Sequence, residues 1–328
     1  MRSRFLIYTV TLAVVLALFV VMLGAYTRLT NAGLGCPDWP GCYGHLVLPN
    51  AEKELTSAQH QYPNLPIEVR KAWTEMAHRY AAGSLALLIF FIGAYAFWRR
   101  VSWKLPLTLM LLVIFQAALG MWTVTMKLLP IVVMGHLLGG ILIFSILCCL
   151  RLQLSSALPQ RLLWRRWVAL GVIIVFCQIA LGGWVSANYA GIACVGFPQC
   201  NGQWLPDLHF SQGFNLFSPV GTNYQGGMLD NEARVTIQFI HRLGAIITAI
   251  YILSLSLFLL IKVQSRAIRV VASCAAFLVV IQFSLGIMNV IYLLPIEIAV
   301  AHNGIAALLM ATLLMMLYLT HGRLEHAN

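Results

Sequence analysis

A chain in which only 9% of the residues are Asp, Glu, Lys or Arg places Glu75, His78 and Arg79 together in "EMAHR" (75–79), at the mouth of a long apolar run. A near copy, "QFIHR" (238–242), stands at the mouth of another run, with Gln238 in the place of the glutamate. Two more histidines, His136 and His302, lie near the start of further apolar runs. Ionisable groups within a bilayer are costly and are generally retained for function. The other histidines, His45, His60, His209, His321 and His326, fall in polar stretches and read as solvated.

Paired imidazoles from paired helices suggest a bound metal. Zinc takes four ligands, or three and a water, and no neighbouring Cys or Asp completes either set. A bis-histidine haem needs only two axial nitrogens facing each other across a flat macrocycle, a site that helical bundles provide. Gly135, Gly139 and Gly140 around His136, Gly244 after His241, and Ala301 and Gly304 around His302 would let a porphyrin lie close to a helix. Arg79 and Arg242, each adjoining a histidine, are candidates to pair with haem propionates. Glu75 precedes His78 by three residues and so shares its helix face. A carboxylate at one site only makes the two sites different. It can stabilise positive charge developing on a substrate or accept its proton, or it can simply favour a helix N-terminus.

The elements that must position these residues are membrane helices. The sequence is 60% hydrophobic, and about 20 apolar residues cross a bilayer core as a helix. Eight segments qualify, near 5–25, 77–98, 105–126, 130–150, 163–186, 237–261, 267–290 and 297–320. They lack the alternation of a barrel strand, so the fold expected is an all-α integral membrane protein. The net charge of +11 is not a nucleic-acid signal. With the N-terminus in the cytoplasm, the inner connections hold Arg2, Arg4, Arg99, Arg100, Lys104, Arg151, Arg161, Arg165, Arg166, Lys262, Arg266, Arg269 and Arg323, 13 of the 21 basic residues. That is the positive-inside pattern, with both ends cytoplasmic. The first segment reads as retained rather than cleaved. Two long connections, about 27–74 and 187–236, then fall outside, and each holds a cysteine pair, Cys36/Cys42 and Cys194/Cys200. Such pairs are expected to oxidise there. Cys148, Cys149, Cys177 and Cys274 lie in helices as small buried hydrophobes, and Trp184 and Trp204 read as interfacial belt residues.

The sequence also repeats itself. "LGAYTRLTNAGLGCPDWPGCYG" (23–44) aligns without gaps on "LGGWVSANYAGIACVGFPQCNG" (181–202). "QAALG" (116–120) matches "QFSLG" (282–286), and "LLPIVVMGH" (128–136) matches "LLPIEIAVAH" (293–302) with one insertion. Each half is thus four helices with a long loop after the first, and an even helix number makes the repeats parallel. The expected organisation is two tandem, pseudo-symmetric four-helix bundles, 1–150 and 163–328, joined by a cytoplasmic linker at 151–162. The four histidines then sit at one depth, toward the outer face.

The runs "GAYTRLTNAGLGCPDWPGC", "EMAHR" and "HRLG" resemble the heme A synthase family over nearly the whole chain. The resemblance implies an enzyme that oxidises the C8 methyl of heme O to the formyl of heme A through a hydroxymethyl intermediate, for cytochrome oxidase biogenesis. Carried onto this sequence, it makes His78 and His136 the pair framing the substrate heme, Glu75 the catalytic carboxylate, and His241 and His302 the axial ligands of a heme b. Arg28, in the same motif run, joins Arg79 and Arg242 as a propionate candidate, although with Thr27 it can equally cap the first helix. Cys36 and Cys42 would be the family's outer-loop pair, structural or redox-active, and Cys194 and Cys200 a staple. The Trp39–Pro40 stretch is placed to fold over the site. The setting implied is a bacterial inner membrane, with an unidentified electron acceptor, heme O synthase as a partner, and a homo-oligomer compatible with the sequence. A di-heme electron carrier would need no Glu75/Gln238 difference, and a heme transporter would need a path to the other leaflet, whereas all four histidines lie toward one side.

Overall fold

In a computed structural model, residues 4–48, 52–63, 67–100, 103–155 and 163–321 are described. The chain forms α1 (Arg4–Leu29), α2 (Glu52–Gln61), α3 (Val69–Trp98), α4 (Lys104–Thr125), α5 (Pro130–Gln153), α6 (Arg165–Ala187), α7 (Phe210–Gly213), α8 (Asn231–Lys262), α9 (Arg266–Ile291) and α10 (Ile296–Leu319). Eight of these are long and apolar enough to cross a membrane. Among the described residues there is no strand, only the isolated bridges Cys42–His45 and Cys200–Gln203. The protein is an all-α integral membrane protein. Arg2, Arg161 and Arg323 of the basic set, most of the 151–162 linker and the end of the chain lie outside the described residues.

The spanning helices keep their apolar side chains on all faces. Leu12, Phe19, Leu87, Phe97, Ile173, Ile250 and Phe277 are exposed outward, where lipid takes the place of a protein partner. The inner faces close one continuous core, from Leu6 and Val10 through Phe144, Leu147 and Ile252 to Leu313 and Met316. Packing follows two squares. In one, α1 packs on α3, α3 on α4, α4 on α5 and α5 on α1; in the other, α6 packs on α8, α8 on α9, α9 on α10 and α10 on α6. The diagonal helices, α3 with α5 and α8 with α10, do not pack on each other. The squares meet through α1, α5, α6 and α10.

Two boundaries differ from the apolar runs. α3 and α8 start well before them, at Val69 and Asn231, because helix continues through polar residues that an apolar window ignores. Glu75 therefore lies beyond the first turn of α3, which contains no acidic residue, and the helix-N-terminus explanation for it falls. Cys149 is buried and Cys148 partly so, but Cys177 and Cys274 are exposed on their helices, a correction to the expectation that all four are interior. Trp184 is likewise no belt residue: it is 3% exposed and donates its indole N–H to the Gly213 carbonyl at 2.8 Å. Trp204 is 71% exposed.

Candidate functional site

The histidines occupy the space between the diagonal helices. His78 on α3 and His136 on α5 bring their ring centres to 6.4 Å, with planes at 80°. Two imidazole nitrogens each about 2 Å from a shared metal would put the ring centres on the order of 6 Å apart, so the spacing fits a bis-histidine metal. His241 and His302 stand on α8 and α10, the corresponding diagonal of the second square. No group of three or more His, Cys, Asp or Glu that could hold a metal occurs among the described residues. Each pair thus offers two such side chains, a number that would suit a metal whose other ligands come from a macrocycle.

Each ring is pressed against a glycine of an adjoining helix. A Cβ built on Gly24 would lie 2.9 Å from Cε1 of His78; on Gly120, 3.2 Å from His136; on Gly182, 3.1 Å from His241; on Gly286, 3.3 Å from His302. Any side chain at these glycines would crowd the ring. Three of the rings also meet a glutamine amide. Gln116 lies 3.1 Å from Nδ1 of His136, Gln178 3.0 Å from Nδ1 of His241, and Gln282 3.1 Å from Nε2 of His302. Gln116 and Gln178 also donate to the backbone carbonyl of the same histidine, at 2.7 and 3.0 Å. Gly139 and Gly244 sit against these amides, so that a Cβ there would collide with their oxygens. The expectation that these two glycines make room for a porphyrin is therefore corrected: they seat the glutamines. Gly304 instead packs on Met22. The glutamines were legible in principle, since "QIALG" (178–182) is a third copy of the Q-x-x-L-G pattern seen at 116–120 and 282–286.

Glu75 is 4% exposed. Its carboxylate accepts the Cys36 backbone N–H at 2.9 Å and pairs with Arg79 at 2.5 Å. Arg79 also donates to the carbonyls of Asp38 (2.9 Å), Pro40 (3.3 Å) and Gly41. These residues belong to the loop closed by the Cys36–Cys42 disulfide. Asp38 shapes that loop by accepting the N–H groups of Tyr43 and Gly44, and Gly35 lets it approach α3, since a Cβ there would lie 2.6 Å from the Lys71 backbone. The Trp39–Pro40 segment accordingly lies at the Glu75 end of α3. Outside the spans, Tyr43 is buried within this loop, and burial, with Glu68, Glu75 and Asp38 nearby, holds its phenol above the ordinary value of 10.0.

The second half repeats the clasp without the charge. Arg242 donates to the carbonyls of Gly196 (2.8 Å), Gln199 (3.2 Å) and Cys194 in the loop closed by Cys194–Cys200. Gln238 donates to the Gly191 carbonyl at 3.3 Å. So where Glu75 accepts from its loop, Gln238 gives to it. Arg28 reaches from α1 to the Ser186 carbonyl on α6 at 2.5 Å and stacks 4.0 Å over the Tyr189 ring. It thus links the halves, while Thr27 bonds back to Leu23 within α1. The buried Nε atoms of Arg28 and Arg242 have no partner.

Eight spanning helices, with two histidine pairs among them and a buried carboxylate three residues before one of these histidines, define an all-α integral membrane protein. Comparison with known proteins places it further: residues 7–314 match the COX15-CtaA family, described as cytochrome oxidase assembly protein, and the chain belongs to that family. It is 46% identical to the heme A synthase of Shewanella oneidensis, over 95% of this chain and 96% of the relative. It is 30% identical to that of Allorhizobium ampelinum, over 90% and 85%, and 28% identical to that of Rhizorhabdus wittichii, over 92% and 90%.

Proposed function

We propose that the protein is a heme A synthase, an oxidoreductase that converts the C8 methyl of heme O to the formyl of heme A through a hydroxymethyl intermediate. The observation that carries the assignment of roles is the difference between the halves: two histidine pairs in similar frames, with buried Glu75 beside one and Gln238 beside the other. His78 and His136 frame the substrate heme O, and their 6.4 Å ring separation suits a flat group held between α3 and α5. His241 and His302 hold a heme b, which when bound supplies a one-electron path from the first site. The unpartnered Nε atoms of Arg28 and Arg242 favour them as propionate donors; Arg79 is committed to Glu75 and the loop and contributes at most a remaining N–H.

Two successive two-electron oxidations take a methyl to hydroxymethyl, with water adding to the electron-poor carbon, and then to formyl through a gem-diol that loses water; each builds positive character on that carbon and releases two protons with its two electrons. Glu75, anionic and shielded from water, stabilises that charge and accepts a released proton. Arg79 and the Cys36 N–H keep the carboxylate in place, so the disulfide loop acts as the cover of the site. The electrons leave to an acceptor of unidentified class. The two squares of helices are best read as tandem bundles, 1–150 and 163–328, related by an axis along the membrane normal. Basic loops on the opposite side from the disulfides favour a topology with both termini in the cytoplasm of a bacterium and the sites toward the outer face of its inner membrane. Heme O is membrane-bound, so direct transfer from heme O synthase is the natural supply, and a homo-oligomer is compatible with the lipid-facing surface.

Co-expression with a source of heme O, followed by heme extraction and mass detection, tests the assignment. Heme A or its hydroxymethyl precursor should appear only with this chain. Two hemes B per chain, unchanged by heme O, would make the protein an electron carrier instead.

A further inference from the structure

Four helices carry one pattern against the four histidines: "VVMLG" (20–24) on α1, "QAALG" (116–120) on α4, "QIALG" (178–182) on α6 and "QFSLG" (282–286) on α9. Each ends in the glycine that faces a ring. The residue four positions earlier lies one turn away on the same face. In three cases it is the glutamine whose amide meets the ring, at 3.0–3.1 Å. In the fourth it is Val20, which has no polar side-chain atom. No side-chain amide meets His78, and its buried Nδ1 has no partner at hydrogen-bonding geometry; the Nδ1 of His302 is also without one, but that ring has Gln282 at its Nε2. Gly139 and Gly244, three positions after His136 and His241, open the space that Gln116 and Gln178 fill, whereas Ala81 follows His78 and Ile305 follows His302.

We infer that Gln116, Gln178 and Gln282 are positioning residues that lock His136, His241 and His302, and that Val20 leaves His78 as a loose ligand so that the first site can exchange its heme. The inference rests on the heme-binding reading above. A polar partner on the far side of a ligating imidazole fixes its orientation, and removing such a partner typically weakens metal binding by roughly 10- to 100-fold. A resident heme b gains from two held rings, Gln178 at Nδ1 of His241 and Gln282 at Nε2 of His302, the latter leaving Nδ1 as the free nitrogen. A substrate that leaves as product from the site where it entered is better served by one locked ligand, His136, and one free to turn. The asymmetry thus lies on the ligand that must open, on the same helix as Glu75.

The test uses the full-length protein in detergent, loaded with heme b at both sites and mixed with excess apomyoglobin as heme acceptor. Wild type should lose heme in a fast and a slow phase. Val20→Gln should slow the fast phase by roughly 10-fold or more, and Gln178→Val should speed the slow phase by a similar factor. Each change should also move the midpoint potential and visible spectrum of the affected heme only, which a general loss of folding would not do. Should Val20→Gln fail to fold, Gln178→Val decides alone. Two hemes bound as in wild type, with rates and potentials unchanged in the variants, would overturn the inference while leaving the heme-binding reading intact. A wild-type chain that binds no heme would overturn both.

Discussion

Replacing Arg79 by methionine removes a guanidinium with two functions. It holds the carbonyls of Asp38, Pro40 and Gly41, and it neutralises Glu75 at 2.5 Å. Arg242 has only the first function, since it clasps three carbonyls of its own loop and Gln238 carries no charge. Arg242→Met therefore measures the loss of a loop clasp, and the difference between the two variants isolates the ion pair. Arg79 and Glu75 are 12% and 6% exposed, so solvent screens the pair little. Leaving one member of such a buried pair uncompensated costs about 3–5 kcal/mol. We expect Arg79→Met to be less stable than Arg242→Met by about 3 kcal/mol, read from equilibrium unfolding of the purified variants in mixed micelles with increasing SDS. Adding Glu75→Gln to Arg79→Met should remove most of that excess, because a glutamine needs no cation; wild type, Arg79→Met, Glu75→Gln and the double variant form a double-mutant cycle. Equal stability of the two arginine variants, or an excess that persists in the double variant, would refute the view of Glu75 as a charge-compensated carboxylate under the loop.

Two more outcomes follow from particular contacts. Gly24→Ala puts a methyl 2.9 Å from Cε1 of His78 and should lower the heme bound at the first site while sparing the second, as measured by heme-to-protein ratio and the spectrum of the heme that remains. Because Tyr43 is held above its ordinary value of 10.0, the folded state keeps that proton after the unfolded chain has released it. Stability should therefore be level below about pH 10 and fall above it, and Tyr43→Phe should flatten that alkaline fall in a pH series of unfolding midpoints.

Much of the architecture was legible because a bilayer imposes a simple rule on sequence. All eight spans appear as apolar runs, and each matches a helix of the structure to within a few residues except at the starts of α3 and α8. Those two starts, and the loop helices α2 and α7, carry polar residues and give no apolar signal. The histidines and Glu75 were legible as costly groups in apolar surroundings. What surrounds them was less so, because a glycine in a membrane helix has several uses. Gly139 and Gly244 read as room for a porphyrin and instead accommodate Gln116 and Gln178. The guanidinium of Arg79 read as a propionate partner, but its role toward Glu75 and three loop carbonyls depends on a loop fold that spacing alone does not specify. Trp184 read as a belt residue because it sits near the end of a span, and only the chain path through Gly213 explains its burial.

The most direct test of Glu75 as the group that distinguishes the two sites is the heme content of Glu75→Gln beside wild type, each co-expressed with a heme O supply. Hemes extracted from equal amounts of purified protein would be separated by chromatography and identified by mass. Wild type should yield heme A, and Glu75→Gln should bind as much heme in total but hold it as heme O with no heme A. Heme A from Glu75→Gln at the wild-type level would contradict the assignment and return the catalytic role to some other group.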